Sequence, residues 1–529
     1  MAGKKQVGRG SGNTPLNTFL SLIPLSALLA WLVFTASGAP LSDFAGYFFG
    51  SKLILAGDYA SAYDTYSLNL MISGEGFKNV FVSYTPFTPF TSVVFSPFLV
   101  FENPFFSKTI FNLTGALLFI ISVYRLSRYT GSRAWISLLL PVIFFTPLKN
   151  NIAFGQAYLL LFFLLAEGFL AFEKKNNLAG GLYWGAAILF KVFPALLVFH
   201  LLLKKQYRSA LWLGCATTAL WIATIPFTGW EPWRHYLGLL PRLNAGELND
   251  SFTYMFQSFY MLVKNLFVYD RLLNPAPLAT MDLMFIFLVI AFKGIIFGVA
   301  TGFSLGKNTT AVAAIAGWIM AAMLLSPNGS NYSLVLLVFA FLSIPQIKPR
   351  KTWLTASLLL LLAICNLPVQ SFAALPHLLR YPRLYLFLLL FAVFAIALRT
   401  RFNRYAAFAV IFLLALQAWL TNRKDKDRSG YLLLKEKHIL ITDLFASGNR
   451  LAYSWWSGSG AGTETTDFPA PVKPLEIQDN QVMLNGKKIT SGGDLKKSAF
   501  LLDEQTVIYL SDKNRGIGFY TIRMMQVPD

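Results

Sequence analysis

Charge is scarce in this sequence of 529 residues: Asp, Glu, Lys and Arg together make up 13% of it, about half of what an ordinary soluble domain carries. Cysteine is nearly missing too. Cys215 and Cys365 both fall inside apolar runs, so no disulfide framework staples an exported loop. Histidine occurs only at His200, His235, His377 and His438, a spacing that fits no metal site. No phosphate-cradling Gly-rich loop and no dinucleotide fingerprint are present. Nucleotide-driven chemistry is therefore not expected, and neither a cofactor nor a metal is called for.

Apolar residues fill the gap. Hydrophobic side chains account for 55% of the chain and aromatics for 16%, led by 49 Phe. A soluble fold cannot hide that much apolar surface, because its own outside must face water. The apolar residues also come in blocks close to the roughly 20 residues that a bilayer crossing needs. The expected fold is an all-α polytopic membrane protein of about 11–13 transmembrane helices, followed by a small, mostly β C-terminal extramembrane domain. The expected boundary puts the membrane part at 1–421 and the appendage at 422–529.

The formal charge of +20 does not indicate nucleic acid. Residues 1–421 hold 30 bases and 12 acids. Twelve of those bases lie in four short clusters between apolar blocks: Arg125/Arg128/Arg133, Lys204/Lys205/Arg208, Lys348/Arg350/Lys351 and Arg399/Arg401/Arg404. Short basic loops are the positive-inside signature of a membrane protein, not a phosphate-binding stripe. Spans are expected near 16–36, 86–101, 106–124, 134–148, 153–172, 178–203, 209–226, 281–303, 309–325, 331–346, 352–367, 383–398 and 404–421. The first follows Lys4, Lys5 and Arg9 and is longer than a signal-peptide core, so it reads as an uncleaved helix. From residue 204 onward the basic loops fall consistently inside. Upstream, thirteen full crossings would put Arg125–Arg133 and Lys174/Lys175 outside. They return inside only if the Pro-rich segment 84–104 does not cross and 178–203 breaks at Pro194.

Nine of the 12 acids lie in or beside two outer loops, at about 37–85 and 227–280. Loops of that length are commonly functional, so chemistry is expected on the outer face. In the first loop, Phe44, Tyr47, Phe48, Ser51, Ile54 and Leu55 follow helical spacing with Gly57 as a stop, consistent with an amphipathic helix on the membrane surface. Asp43 opens it, either as a helix-end stabiliser worth about 0.3–1 kcal/mol or as a functional carboxylate. Asp58 reads as a turn former. Lys191 interrupts the run 185–203 just before Pro194. An intramembrane cation is a functional candidate by default, with snorkelling to the interface as its ordinary alternative. Tyr84 in the Tyr-Thr-Pro-Phe-Thr-Pro-Phe run, Gln156, Asn249 in Asn-Asp-Ser-Phe, and Asn331-Tyr332 after Ser326-Pro327 are further polar positions. In the appendage, 481–489 reads as a hairpin turning at Asn485-Gly486, and 457–474 reads as a Gly/Ser/Thr/Pro linker.

In their order, Asp43-Phe…Tyr47, Ala56-Gly57, Tyr63-Asp64, Tyr84…Pro86-Phe87 with Pro97, Gly155-Gln156, Gly180-Gly181…Lys191…Pro194, Asn249…Ser251 and Ser326-Pro327 resemble the GT-C glycosyltransferases of family 87. That is the polyprenyl-phosphate-mannose-dependent type. The resemblance runs from about residue 40 to 345 and leaves out the β region. In that family an aromatic–His cluster often follows the Ser-Pro, where this chain has Asn331-Tyr332. The resemblance implies an inverting membrane glycosyltransferase. It would move a mannose-like hexose from a polyprenyl-phosphate donor to a glycan or glycolipid acceptor at the outer face of the lipid bilayer. It carries Asp43 over as general base. Lys191 is the expected phosphate contact, with Gln156, Tyr84, Asp58, Asn249, Asn331 and Tyr332 as candidate donor or acceptor contacts. The rival class is a transporter or flippase for a lipid-linked glycan, for which internal repeats and midplane ion sites would be expected. No repeat is visible, and Glu167 is the exception among few acids within spans.

Overall fold

The computed structural model describes residues 14–527 except 78–79, 133, 245, 248–251, 271–272, 308, 347–350, 425–429, 433–439, 458–459, 470–472 and 514. Asn249 and Ser251 thus lie outside the described residues. Helices run from Pro15–Leu20 to Arg404–Lys424, and the named strands all lie between Gly430 and Gln526.

Among the described residues, four helical stretches are long and apolar enough to cross a membrane: Pro15–Ala36, Pro104–Thr130, Tyr207–Thr228 and Asp282–Leu305. Ala134–Ile143 and Phe145–Phe154, bent by 57°, add a fifth if taken as one span. Most of the other expected spans form apolar helices of 10–17 residues. At 1.5 Å per residue these reach about 15–26 Å, short of a hydrocarbon core of about 30 Å.

Contacts between helices sort the bundle into two ends. At one end Tyr129 donates to Glu173, Ser209 to Asn177 at 2.8 Å and Gln346 to the Thr130 carbonyl at 2.9 Å. His200 pairs with Ser304 there at 2.9 Å. Arg125, Arg128, Lys174, Lys204 and Arg208 sit within a turn or two of these residues, so the basic turns gather together. At the other end Gln156 meets Asp43, Asn150 meets Asn331 and Ser258 meets the Pro327 carbonyl.

Two expected spans depart from a full crossing. Segment 86–101 contains only Pro89–Phe95 and a 3-10 turn, Ser96–Phe98, about 15 Å of helix. Segment 178–203 is a helix to Phe190, an extended Lys191 (φ −145°, ψ 118°), then Phe193–Leu196 and Leu197–Leu203. It leaves the basic end at Asn177 and returns there at Lys204, with Lys191 at its far apex. Pro194 cannot donate to a preceding carbonyl, so the helix is not continued through this point.

The Phe44–Leu55 helix differs from the amphipathic surface helix its spacing suggested. Residues 44–51 are all buried, Ser51 included. Gly50 allows this: a Cβ there would come within 2.1 Å of the Tyr84 ring. Helices Tyr59–Tyr63 and Thr65–Gly74 complete the first loop, and Glu231–Asn244 and Phe259–Phe267 lie in the second.

Among the described residues from Gly430 to Gln526, the strands form a seven-stranded antiparallel sheet and a three-stranded one. Thr506–Ser511, buried at every position, is bonded to Lys496–Leu501 on one side and Thr521–Gln526 on the other. The expected hairpin is present: Gln481–Leu484 pairs with Lys487–Lys488 around Asn485 (φ 50°) and Gly486 (φ 76°), a turn with positive φ at both central positions. The expected linker is not a linker. Gly460–Pro469 is a strand paired with Arg450–Ser457, and Gly462 is needed because the Trp455 ring lies over it, 2.9 Å from where a Cβ would stand. Glycine read as linker composition was marking a close approach.

This β region packs on both of these loops. Arg242 bonds Asp512 at 3.0 and 3.1 Å, Arg515 reaches Asp270 at 3.4 Å, and Phe81 stacks on Trp456 at 5.4 Å between centroids.

Candidate active site

Asp43 stands at the N-terminus of Phe44–Leu55 in right-handed helical conformation and makes no capping hydrogen bond. A helix-end stabiliser would spend its oxygens on the first free N–H groups. Asp43 Oδ2 instead accepts from Gln156 Nε2 at 2.6 Å. Gln156 Oε1 in turn accepts from the Tyr47 hydroxyl at 3.1 Å. Tyr47 is one turn along the same helix, so a single rigid element holds the carboxylate and the group that orients its amide partner. Gln156 follows Gly155, which takes φ +65° and packs against Phe44; a Cβ on Gly155 would lie 2.6 Å from that of Phe44. Only a residue without Cβ lets the two segments approach this closely.

Lys191, at the apex of the broken segment, has its ammonium 4.4 Å from the centroid of Phe87, 5.6 Å from Tyr158 and 5.8 Å from Tyr47. Among the described residues no hydrogen bond or ion pair of the protein engages it. Aromatic faces hold a cation electrostatically while leaving its three N–H donors for another acceptor. Lys191 and Lys108 are both within electrostatic reach of Asp43. Burial pushes the Asp43 carboxyl above its ordinary value, and the Gln156 hydrogen bond and the two lysines offset only part of that rise. The result is a stronger base than a solvated aspartate, still flanked by positive charge.

The Tyr332 ring packs tilted against Tyr158, 5.4 Å between centroids, and lies within electrostatic reach of Asp43. Asn331 is one step away, bonded to Asn150 at 3.4 Å and to the Cys365 carbonyl at 3.2 Å. The structure thus brings together Asp43, Gln156, Lys191 and Tyr332, with Asn331 at the rim. Tyr84 packs behind, its hydroxyl 2.7 Å from Ser92 Oγ and its ring against Gly50. Asp58 stays apart, exposed and capping Tyr59–Tyr63 through the Ser61 amide at 3.1 Å. Sequence reasoning passed over Lys108, Tyr47, Phe87 and Tyr158 as site residues. Lys108 carried a usable signal, since it interrupts the apolar run 106–124 as Lys191 interrupts its own.

Beside Lys191 opens a cavity of about 980 Å³, bounded by Val192, Phe193, Leu240, Phe297, Leu325 and Pro327 among others. Its walls are mostly aliphatic and aromatic, suited to an apolar chain. Among the described residues no three His, Cys, Asp or Glu side chains come together as a metal-binding group.

Known proteins share part of this chain. Residues 84–327 match the model of glycosyltransferase family 87. The chain is 30% identical over 188 residues to a polyprenol-phosphate-mannose-dependent alpha-(1-2)-phosphatidylinositol mannoside mannosyltransferase of Mycobacterium tuberculosis, covering 31% of this chain and 43% of that protein. It is 26% identical over 189 residues to the protein of that description from Mycolicibacterium smegmatis, covering 31% and 42%. The matches span less than half the length of these relatives. No solved structure matches. Asp43 and Tyr47 precede the family match, while Tyr84, Lys108, Gln156, Lys191 and Ser326-Pro327 lie within it. The family that the ordered motifs resemble is thus the one whose model residues 84–327 match, glycosyltransferase family 87.

Proposed function

We propose that this chain is a membrane glycosyltransferase that moves a mannose-like hexose from a polyprenyl-phosphate donor to a glycan or glycolipid acceptor, with inversion. The observation that carries the reading is the Asp43 carboxylate: largely buried, held by Gln156 rather than used as a cap, and facing the uncommitted ammonium of Lys191. In one displacement the acceptor oxygen bonds to the anomeric carbon while the bond from that carbon to the phosphate oxygen breaks. The acceptor proton passes to Asp43, and the bonding pair leaves with the phosphate. Lys191 stabilises that departing charge, and the adjoining apolar cavity receives the prenyl chain. The relatives' descriptions support a polyprenol-phosphate-mannose donor and a mannoside acceptor. Glu167, on which a transport reading would lean, is paired with Arg125 at 3.0 Å at the basic end.

The assay is sugar transfer from a polyprenyl-phosphate donor by the purified protein in nanodiscs. Lys191→Met is expected to lower transfer by about a hundredfold, the size of losing one donor to developing negative charge, with the fold intact. A variant that folds poorly but retains normal specific activity would make Lys191 a structural lysine. No transfer by the wild type from any polyprenyl-phosphate sugar would favour the transporter.

The two-ended bundle supports a topology in which the basic end is cytoplasmic. The site and residues 422–529 then lie outside, with the Pro-rich segment near 84–104 and the broken 177–203 segment not crossing. In this reading 1–421 is the membrane domain and 422–529 an extracytoplasmic one. With Cys215 replaced by Ser, a cysteine at exposed Asp479 should react with a membrane-impermeant maleimide on intact cells. Labelling only after lysis would reverse the topology.

A further inference from the structure

We propose that Lys108 is a positioning residue for the transfer reaction, its buried ammonium clamping the two turns that carry Asp43 and Gln156. The inference rests on the reading of Asp43 as the base. Lys108 lies in the first turns of Pro104–Thr130 and is 1% exposed. Its Nζ donates to the carbonyl of Pro40 at 2.6 Å and to that of Ala153 at 2.6 Å. Those carbonyls belong to segments more than a hundred residues apart in sequence, and each stands three residues before one member of the Asp43–Gln156 pair.

The turns between anchor and functional residue are alike. Ser42 takes φ +49° before Asp43, and Gly155 takes φ +65° before Gln156. A left-handed residue reverses the chain locally, and for serine it costs free energy that surrounding contacts must offset. Lys108 supplies such a contact at the root of both turns. Asn112, one helical turn further on, donates to the Ile152 carbonyl at 3.0 Å, so one face of this helix holds the Gln156 turn at two points. A charge-assisted donor shared by two carbonyls is a strong and directional tie. Lys191 differs in kind. Its ammonium rests on aromatic rings, whereas that of Lys108 is committed to backbone.

Lys108 also acts at a distance on the carboxylate, since its charge is among those opposing the upward push of burial on Asp43. Removing it lets the Asp43 carboxyl rise further. Transfer needs the deprotonated base, so the acid limb of the pH–rate profile moves to higher pH. Packing alone does not produce that displacement.

The test compares wild type, Lys108→Met and Lys108→Arg as full-length protein in nanodiscs, measuring kcat and donor KM across pH. Lys108→Met should lower kcat by about ten- to a hundredfold, the scale of a misplacement of about 1 Å, and shift the acid limb upward. Its donor KM should stay within about threefold of wild type, since ground-state binding is not what Lys108 supports. Lys108→Arg keeps charge and several donors and should return the acid limb toward wild type. An Lys108→Met protein with a wild-type acid limb and kcat, even one made in lower yield, overturns the inference. If Lys108→Met yields no folded protein, Lys108→Gln, which keeps one donor, carries the same readout and a wild-type acid limb again overturns it. Asp43→Asn in the same assay separates the two readings. Near-normal turnover there removes the base itself, whereas an inactive Asp43→Asn beside a wild-type-like Lys108→Met removes only the role of Lys108.

Discussion

Asp43→Asn is expected to lower sugar transfer by about 10²–10⁴-fold, the contribution of a general base, while donor binding and membrane insertion persist. The asparagine side chain has the shape of the carboxyl group and can still meet Gln156, but at neutral pH its amide cannot take a proton from the acceptor. As a helix-end stabiliser Asp43 would contribute about 1 kcal/mol or less, and Asn would replace it with little loss. The geometry separates these outcomes, because Asp43 makes no capping bond at all. The wild-type pH profile follows from the same burial. The Asp43 carboxyl is raised above its ordinary value, so transfer should be lost on acidification at a pH above the usual aspartate range. Near-normal turnover by the Asn variant would remove Asp43 from the mechanism.

Arg242→Met is expected to loosen the β region from the second outer loop. Asp512 is fully buried and receives Arg242 through two nitrogens, at 3.0 and 3.1 Å, as well as the Leu495 and Gly518 amides at 2.8 and 2.9 Å. Arg242 also bonds Glu247 at 2.7 Å. Removing one partner of such a pair strands a buried charge and typically costs about 3–5 kcal/mol, or roughly 10²–10⁴-fold in the balance of docked and released forms. Limited proteolysis of the purified protein should cut residues 422–529 correspondingly faster. Pairing Arg242→Met with Asp512→Leu should restore part of the resistance, because the fully buried carboxylate is then gone, although Glu247 and the Leu495 and Gly518 amides still lose a partner. Cleavage at the wild-type rate by the single variant would show that the β region is held elsewhere, for instance by Phe81 on Trp456.

How far the site was legible from sequence varies by residue. Asp43, Gln156 and Lys191 stood out, each a polar group in an apolar setting, where it must have a partner or a task. Their mutual contact did not. The Asp43–Gln156 bond joins residues 113 positions apart, and no periodicity reports such a separation. Tyr47 was visible as part of a helical stripe, but its hydroxyl contact with Gln156 was not. The burial of residues 44–51 on every side was hidden as well, because Gly50 looks like a weak helix former until the Tyr84 ring is in place.

Sequence by itself determined that the chain is apolar in blocks and basic in its short turns, that its acids gather in two long loops, and that it ends in strands. These are local properties of composition and spacing, and hydrophobic burial with backbone hydrogen bonding turns them into helices and sheets with little further information. Only the tertiary structure decided which blocks run the length of the bundle. Segment 84–104 is too short as a helix, and 177–203 turns back at Lys191, because prolines and a half-buried cation there break helices that hydrophobicity alone would continue. That return places Lys191 opposite Asp43. The site therefore depends on two broken segments and on contacts between distant parts of the chain, which chain order does not encode locally.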